Sequence, residues 1–430
     1  MFNDNNSIIV VDNNSEDLAS IAHVFNTHGI GCRTIECDGF ELPQVPLKGV
    51  KIAFFDINFT DAGDGTAIMS ALRSVMKSTI SNDNGPFVLV FWTTNPQMAE
   101  SFKEFVNRDD TYKELPRPVV ISTLDKSQFM AQPELLHDSI EQICSSPLTK
   151  CLLSFREELQ TASDDCLLKI TSLIDVDEPW GETTKYEKRF KEIFAKISIS
   201  TLGMQTGRTS PDLAIKESLA PVFSYNLCNN GSNVWKEYLH LEDKDEDVLR
   251  RIDIKSIAPH INTYFHIEPI VTDTFARGVV RKMNNDDELF KNMTEFDVET
   301  WVEKRFLKSK YTLSKEYYLI AIEYSAACDY ANDKPRLHKF ILGLLCSEDD
   351  ATIIAKKKIA DNIFCLGFSF IYNSEKFSIV LDLNSSFNEE QGEVFKLLGE
   401  PLFKLKHEMM NVITSAHAIH ESRLGFSCFK

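Results

Sequence analysis

Short apolar runs at residues 8–11, 52–55, 88–92 and 119–121 alternate with stretches that can form amphipathic helices, such as 16–27 and 65–77. The runs are rich in β-branched and aromatic residues, which pack well on a pleated surface. Runs too apolar to alternate are buried on both faces, and strands separated by helices connect as right-handed βαβ units. The pattern therefore predicts a parallel sheet. With a weaker run at 32–35, the expectation is a doubly wound, five-stranded α/β domain. A last helix over 133–144, with Pro133 accommodated in its first turn, closes that domain near Ser146. Ser145, Ser146 and Pro147 supply the boundary turn.

Beyond that turn the period changes. From Cys151 to about Met204, apolar residues recur at helical spacing, with a turn expected at 178–181, and Ile193, Phe194, Ile197 and Ile199 are expected to continue one buried face. Another helix is expected over 211–220, with Ser210 as its N-cap and Pro211 at its first position. The acidic run at 242–247, followed by Arg250 and Arg251, reads as a solvated face.

Strands are expected at 317–325, 340–346, 364–372 and 377–383. In the last, Phe377, Ile379, Leu381 and Leu383 share one face while Ser378 and Asp382 share the other, the period of a half-buried strand. Asn373, Ser374 and Glu375 can turn a hairpin. Helices should flank Pro401, and Leu402, Leu405, Met409 and Val412 read as a core stripe. The expected organisation is a doubly wound α/β domain over 1–146, a mainly helical region over 147–310, and an α+β region with a small antiparallel sheet over 311–430.

Composition narrows the classes of function. A chain of 430 residues has room for two or three domains. Its net charge of −18 opposes a broad grip on nucleic acid, which depends on clustered Lys and Arg. No stretch approaches the ~18 apolar residues of a membrane span, and the first apolar run lacks a basic leader. A cytoplasmic protein with neither nucleic-acid nor membrane partners is expected. Ten cysteines occur without a CxxC pair, which opposes a zinc knuckle or a disulfide framework. Most are expected to be small buried hydrophobes.

Candidate chemistry gathers at the strand ends. Asp12, Asp56 and Thr93 each follow an apolar run directly, and Lys126 lies shortly after the fourth. Open α/β sheets bind ligands beyond the carboxyl ends of their strands, so these four side chains can converge.

Together, Ile8-Ile9-Val10-Val11-Asp12-Asn13, the Asp56-Ile57-Asn58 segment followed by Gly65, Thr93 and Lys126 resemble a response-regulator receiver domain. The resemblance covers roughly the first third of the chain. It implies that Asp56 accepts a phosphoryl group from a sensor histidine kinase or a phosphotransfer protein. It also implies that Asp12, Asp56 and the backbone carbonyl of Asn58 hold Mg²⁺, that Thr93 hydrogen-bonds a phosphoryl oxygen, and that Lys126 pairs with the anion. Phosphoryl transfer needs an in-line nucleophile, a divalent cation and donors for the remaining charge. A magnesium site with one or two carboxylates and several waters is sufficient.

The sequence departs from the family pattern at several points. Asn13 stands where a second acid is usual, so weaker Mg²⁺ binding is expected. Thr60 and Ser127 replace family prolines, and the loop to Gly65 is longer by one residue. Pro43 and Pro46 make the 38–50 stretch a poor helix.

The expectation from this resemblance is a two-component signalling protein that acts through an effector protein rather than DNA. In organisation it is also similar to receiver proteins of bacterial defensive two-component systems, which implies a phosphate sink in antiviral defence. A phosphorylation-independent pseudo-receiver adaptor is the alternative. A third reading is a C-terminal enzyme under receiver control, with Cys328 as nucleophile and His338 as its base. Against that stand a packed Cys328 and an Asp329 that caps a helix or holds Arg423. His407, His417 and His420 could share a metal, but lacking a clear carboxylate or cysteine partner they read better as a solvent-facing helix.

Overall fold

The computed structural model describes residues 7–37, 42–57, 65–132, 134–174, 183–229, 231–271, 273–284, 287–307, 311–313, 316–325, 337–357 and 361–422. The chain divides into two compact units, one of residues 1–172 and 222–244, the other of 173–221 and 245–430.

The first unit contains five strands: β1 (Ile8–Asp12), β2 (Arg33–Glu36), β3 (Ile52–Phe55), β4 (Val88–Thr93) and β5 (Val120–Asp125). All pair in parallel in the order β2-β1-β3-β4-β5. Successive side chains point to opposite faces, so one sequence run serves two cores. Ile9, Val11, Ala53, Phe55, Leu89 and Phe91 pack with α2 (Gly65–Thr79) and α3 (Gln97–Asn107). Val10, Phe54, Val90 and Trp92 pack with α1 (Ser15–Thr27) and α5 (Leu135–Cys144). Each fully buried phenylalanine contributes about 1.5–3 kcal/mol of transfer free energy.

The parallel sheet matches the pattern of the runs, and two local details differ. β5 extends to Asp125, past the expected end of its run, so Lys126 follows the strand immediately as the first residue of α4 (Lys126–Ala131). Asp125 caps that helix by accepting from Ser127 N at 3.0 Å. The closing helix α5 begins at Leu135, and Pro133 lies outside the described residues. Residues 42–50 form no helix, as Pro43 and Pro46 require.

Helix α6 (Pro147–Thr171) starts with Ser146 as its N-cap and Pro147 in its first turn. Arg156 ties it to the sheet, donating from Nη2 to Gly49 O at 3.0 Å and from Nη1 to Pro86 O at 3.2 Å.

The second unit opens with helical segments. The helical span Thr184–Thr209 breaks into two helices at Gly203, where φ is +82°, and in it Ile193, Phe194, Ile197 and Ile199 are only half-buried. Ser198 is fully buried there, and its Oγ donates to the O of Gly207, itself buried, at 2.6 Å. The turn expected at 178–181 lies outside the described residues. The helix starting at Pro211 continues past its expected end to Asn229, its residues 222–229 belonging to the first unit. The acidic run is exposed, with Asp245 capping the short helix Glu246–Arg250 and Arg250 paired to Glu246 at 2.9 Å.

An eight-stranded antiparallel sheet follows. Its strands are β6 (Ile267–Glu268), β7 (Val279–Met283), β8 (Tyr318–Glu323), β9 (Leu337–Ser347), β10 (Ile363–Cys365), β11 (Phe370–Tyr372), β12 (Glu375–Glu390) and β13 (Leu398–Leu405). The order is β10-β12-β9-β8-β7-β13-β6, with β11 also on β12. The expected strand over 364–372 is two strands, because the chain turns at Gly367, where φ is +77°. The hairpin forms as expected: Asn373 and Ser374, at φ +48° and +67°, join Tyr372 to its partner Glu375.

β12 is not half-buried. Phe377, Ile379, Leu381 and Leu383 enter one core cluster, while Val380 enters another on the opposite face, where Ser378 and Asp382 are buried too. Helices Gln391–Leu397 and His407–Glu421 do flank Pro401. Leu402 and Leu405 belong to β13 and Val412 is exposed, so the stripe is not one helical face, but Leu405 and Met409 enter one core cluster and Leu402 packs against it. The last helix instead buries Met409, Met410, Ile413 and His417. Among the described residues no helix is long and apolar enough to cross a membrane.

Candidate functional site

Asp12 ends β1, Asp56 follows β3 by one position, and Lys126 begins α4 after β5. Parallel register brings these ends to one edge of the sheet: Val11 lies opposite Phe55, and Phe55 opposite Phe91. Asp56 N donates to Val11 O at 2.9 Å, which extends the β1–β3 pairing to the site itself.

The side chains meet around the lysine ammonium. Lys126 Nζ lies 2.7 Å from Asp12 Oδ2, 2.6 Å from Asp17 Oδ2 and 3.6 Å from Asp56 Oδ2. Asp12 is fully buried, and Asp56 and Lys126 are nearly so. Backbone donors hold the other carboxylate oxygens: Asn14 N reaches Asp12 Oδ1 at 2.9 Å, and Ile57 N reaches Asp56 Oδ1 at 2.7 Å.

Burial dominates the electrostatics. It pushes the Asp12 carboxyl above its ordinary range, against the pull of the Lys126 hydrogen bond, the Asn14 N–H and the Lys126 charge, while the Asp56 charge adds to the rise. Burial also pulls Lys126 downward, but hydrogen bonds to Asp12 and Asp17, with the charges of Asp56 and Asp12, outweigh it. The ammonium is held above the ordinary lysine range.

A polar cavity of about 470 Å³ opens beside this group, lined by Asn13, Asn14, Ser15, Asp17, Glu36, Asp56, Thr94 and Lys126. Thr93 is not in that lining. It is fully buried, and its Oγ1 accepts from Asn95 N at 3.1 Å. The neighbouring exposed hydroxyl, Thr94, faces the cavity. Asn58 lies outside the described residues.

Asp17 and Glu36 are additions that the strand-end argument did not reach. Asn14 caps α1 by accepting from Glu16 N at 2.9 Å, and acids in a first helical turn are favoured by the helix dipole. That pattern accounts for Asp17 as a helix-start residue. Only the fold reveals that it points at Lys126.

The donor set suits a hard divalent cation: carboxylates and amide oxygens around a polar cavity, with an ammonium already drawn to them. Among the described residues, the set of three His or acidic ligand atoms within 4.8 Å of one another is His137, Asp138 and Glu141, of which the two acids are exposed. Asp12, Asp17 and Asp56 do not form such a set; the ammonium lies among them.

The other candidates separate. Cys328, Asp329 and Arg423 lie outside the described residues. His338 is buried, its Nδ1 3.5 Å from Glu323 Oε1 and its ring against Phe275. His417 is buried against Tyr324 rather than solvent-facing, and His420 Nε2 meets Asn384 Oδ1 at 2.6 Å. Of the eight cysteines in the described residues, Cys37, Cys151, Cys166 and Cys346 are buried and Cys228 is exposed.

No family model matches this chain, and comparisons with curated proteins and with solved structures find no match.

Proposed function

We propose that the N-terminal unit accepts a phosphoryl group on Asp56 and signals through protein interactions. The observation that carries this reading is the asymmetry of Asp56. Its Oδ1 is fixed by Ile57 N, while its Oδ2 faces Lys126 and the carboxylate lines the cavity. Attack by Oδ2 on the phosphorus of a phosphohistidine forms an O–P bond and breaks the donor P–N bond, whose electron pair leaves with the imidazole. A sensor histidine kinase or phosphotransfer protein is the matching donor.

Asp12, Asp56 and, as the resemblance implies, the Asn58 carbonyl would hold Mg²⁺, which would neutralise the phosphate oxygens when bound. Lys126, already 3.6 Å from Asp56, pairs with the new anion. Thr93 or its neighbour Thr94 donates a hydroxyl to it. The added charge then biases an interface with an effector protein, or the domain simply stores phosphate in a defence pathway.

The test is intact mass after incubation with Mg²⁺ and a small acyl-phosphate donor, beside Asp56→Asn. A one-phosphoryl gain confined to the unsubstituted protein is the expected result.

A specific observation also favours the adaptor reading: Asn13 lines the cavity, and Lys126 is already satisfied by Asp12 and Asp17. No mass gain even with a phosphorylated cognate kinase would leave that reading in place of the first.

A further inference from the structure

Resting on the phosphoacceptor reading, we infer that Asp17 is the second carboxylate of the cavity's cation site. Lys126 is the cation that Asp17 holds until a divalent ion takes its place.

Three observations converge on Asp17. The residue after Asp12 is Asn13, a neutral amide on the cavity wall, so the β1 loop offers Asp12 as its one acid, and Asp12 itself is not in the cavity lining. Asp17 brings the second from the first turn of α1, and its carboxylate reaches the same ammonium as Asp12, at 2.6 Å against 2.7 Å. Asp12 is fully enclosed, whereas the Asp17 side chain is 15% exposed and lines the cavity, where an entering ion meets it first.

Charge and spacing then define the exchange. Asp12, Asp17 and Asp56 surround one ammonium, so Lys126 leaves the group strongly anionic. With the lysine among them, the three acids do not bring three ligand atoms all within 4.8 Å of one another. A magnesium-like ion needs only one or two carboxylates and keeps its waters, so displacing Lys126 from Asp12 and Asp17 makes room for it. The freed ammonium has a destination in Asp56 Oδ2, already 3.6 Å away, where the phosphoryl anion arrives. Cation binding and readiness to neutralise the phosphoryl group are thus one movement.

The experiment is calorimetric titration of the full chain with Mn²⁺, which reads binding without phosphorylation. Asp17→Asn is expected to weaken Mn²⁺ by about tenfold or more. Asn13→Asp combined with Asp17→Asn should recover most of the loss, which a merely structural Asp17 would not permit. Lys126→Met, which removes the competing cation, should bind Mn²⁺ more tightly, and its melting temperature should rise more with added Mn²⁺ than that of the unsubstituted protein. Unchanged affinity in Asp17→Asn overturns the inference. If phosphoryl transfer to Asp56 is nevertheless observed, the phosphoacceptor reading survives that loss. Absence of Mn²⁺ binding in the unsubstituted protein, together with no phosphoryl gain, overturns both.

Discussion

Lys126 Nζ donates to Asp12 Oδ2 across 2.7 Å, joining residues 114 positions apart and locking the start of α4 to the end of β1. Both partners are buried, so their worth lies less in mutual attraction than in what either would cost alone. Two charges removed from water are tolerated only while paired, and removing one leaves the other stranded.

Lys126→Met is therefore expected to destabilise the N-terminal unit by about 3–5 kcal/mol. The pH dependence gives the sign. In the unsubstituted protein Lys126 titrates above the ordinary lysine range, so its contribution is full below that range and is lost as pH rises through its folded value. Without the ammonium, burial still raises the Asp12 carboxyl while the two lowering effects of Lys126 are gone, so Asp12 binds a proton more tightly folded than unfolded and stability rises as pH falls through its folded value toward the ordinary carboxylate range. Urea midpoints across that interval that are flat, or that fall with acid, would contradict the assignment.

The two adjacent threonines separate structure from chemistry. Thr93→Val removes a buried hydroxyl that accepts from Asn95 N, and should lower stability by about 1 kcal/mol. Thr94→Val alters only the cavity lining, so its urea midpoint should not move while phosphorylation of Asp56 slows. Equal phosphorylation rates in Thr94→Val and the unsubstituted protein would leave Thr93 as the phosphoryl donor.

Gly278 is a structural test in the second unit. It sits at φ +92°, and an added Cβ would meet Leu405 O at 2.5 Å and Met410 Cγ at 3.1 Å. Its amide donates to Glu323 O and its carbonyl accepts from Leu405 N, so the backbone cannot easily retreat. Gly278→Ala should exceed the roughly 1–3 kcal/mol of an unfavourable φ alone. A melting temperature within a degree or so of the unsubstituted protein would show that β7 and β13 can separate there.

Thiol chemistry should follow burial. Cys346 is fully buried, and desolvation, helped by the charge of Asp350, pushes its pKa up to about 12. Cys228 is exposed. At pH about 8, iodoacetamide followed by peptide mapping should label Cys228 in the native protein and Cys346 only after denaturation, because the thiolate is the nucleophile. Native labelling of Cys346 at a comparable rate would refute the packing around β9.

The apolar runs by themselves determined the parallel sheet and the positions of Asp12, Asp56 and Lys126 at its carboxyl edge. Burial on both faces demands continuous apolar residues, and that demand is written locally. The Asn373–Ser374 hairpin was legible for the same reason, since a tight turn selects residues that tolerate positive φ.

Asp17 was not legible as a site residue. Its local role, an acid in a first helical turn, accounts for its presence without any reference to Lys126. The burial of both faces of β12 was hidden as well, because Asp382 and Ser378 look solvent-facing until Asn362, Ser385 and the Phe368 carbonyl partner them. Local sequence states which side chains prefer water. Only tertiary structure decides which polar groups are excluded from it, because that depends on partners brought from distant positions and on whether they satisfy the charge and hydrogen bonds that burial would otherwise leave unmet.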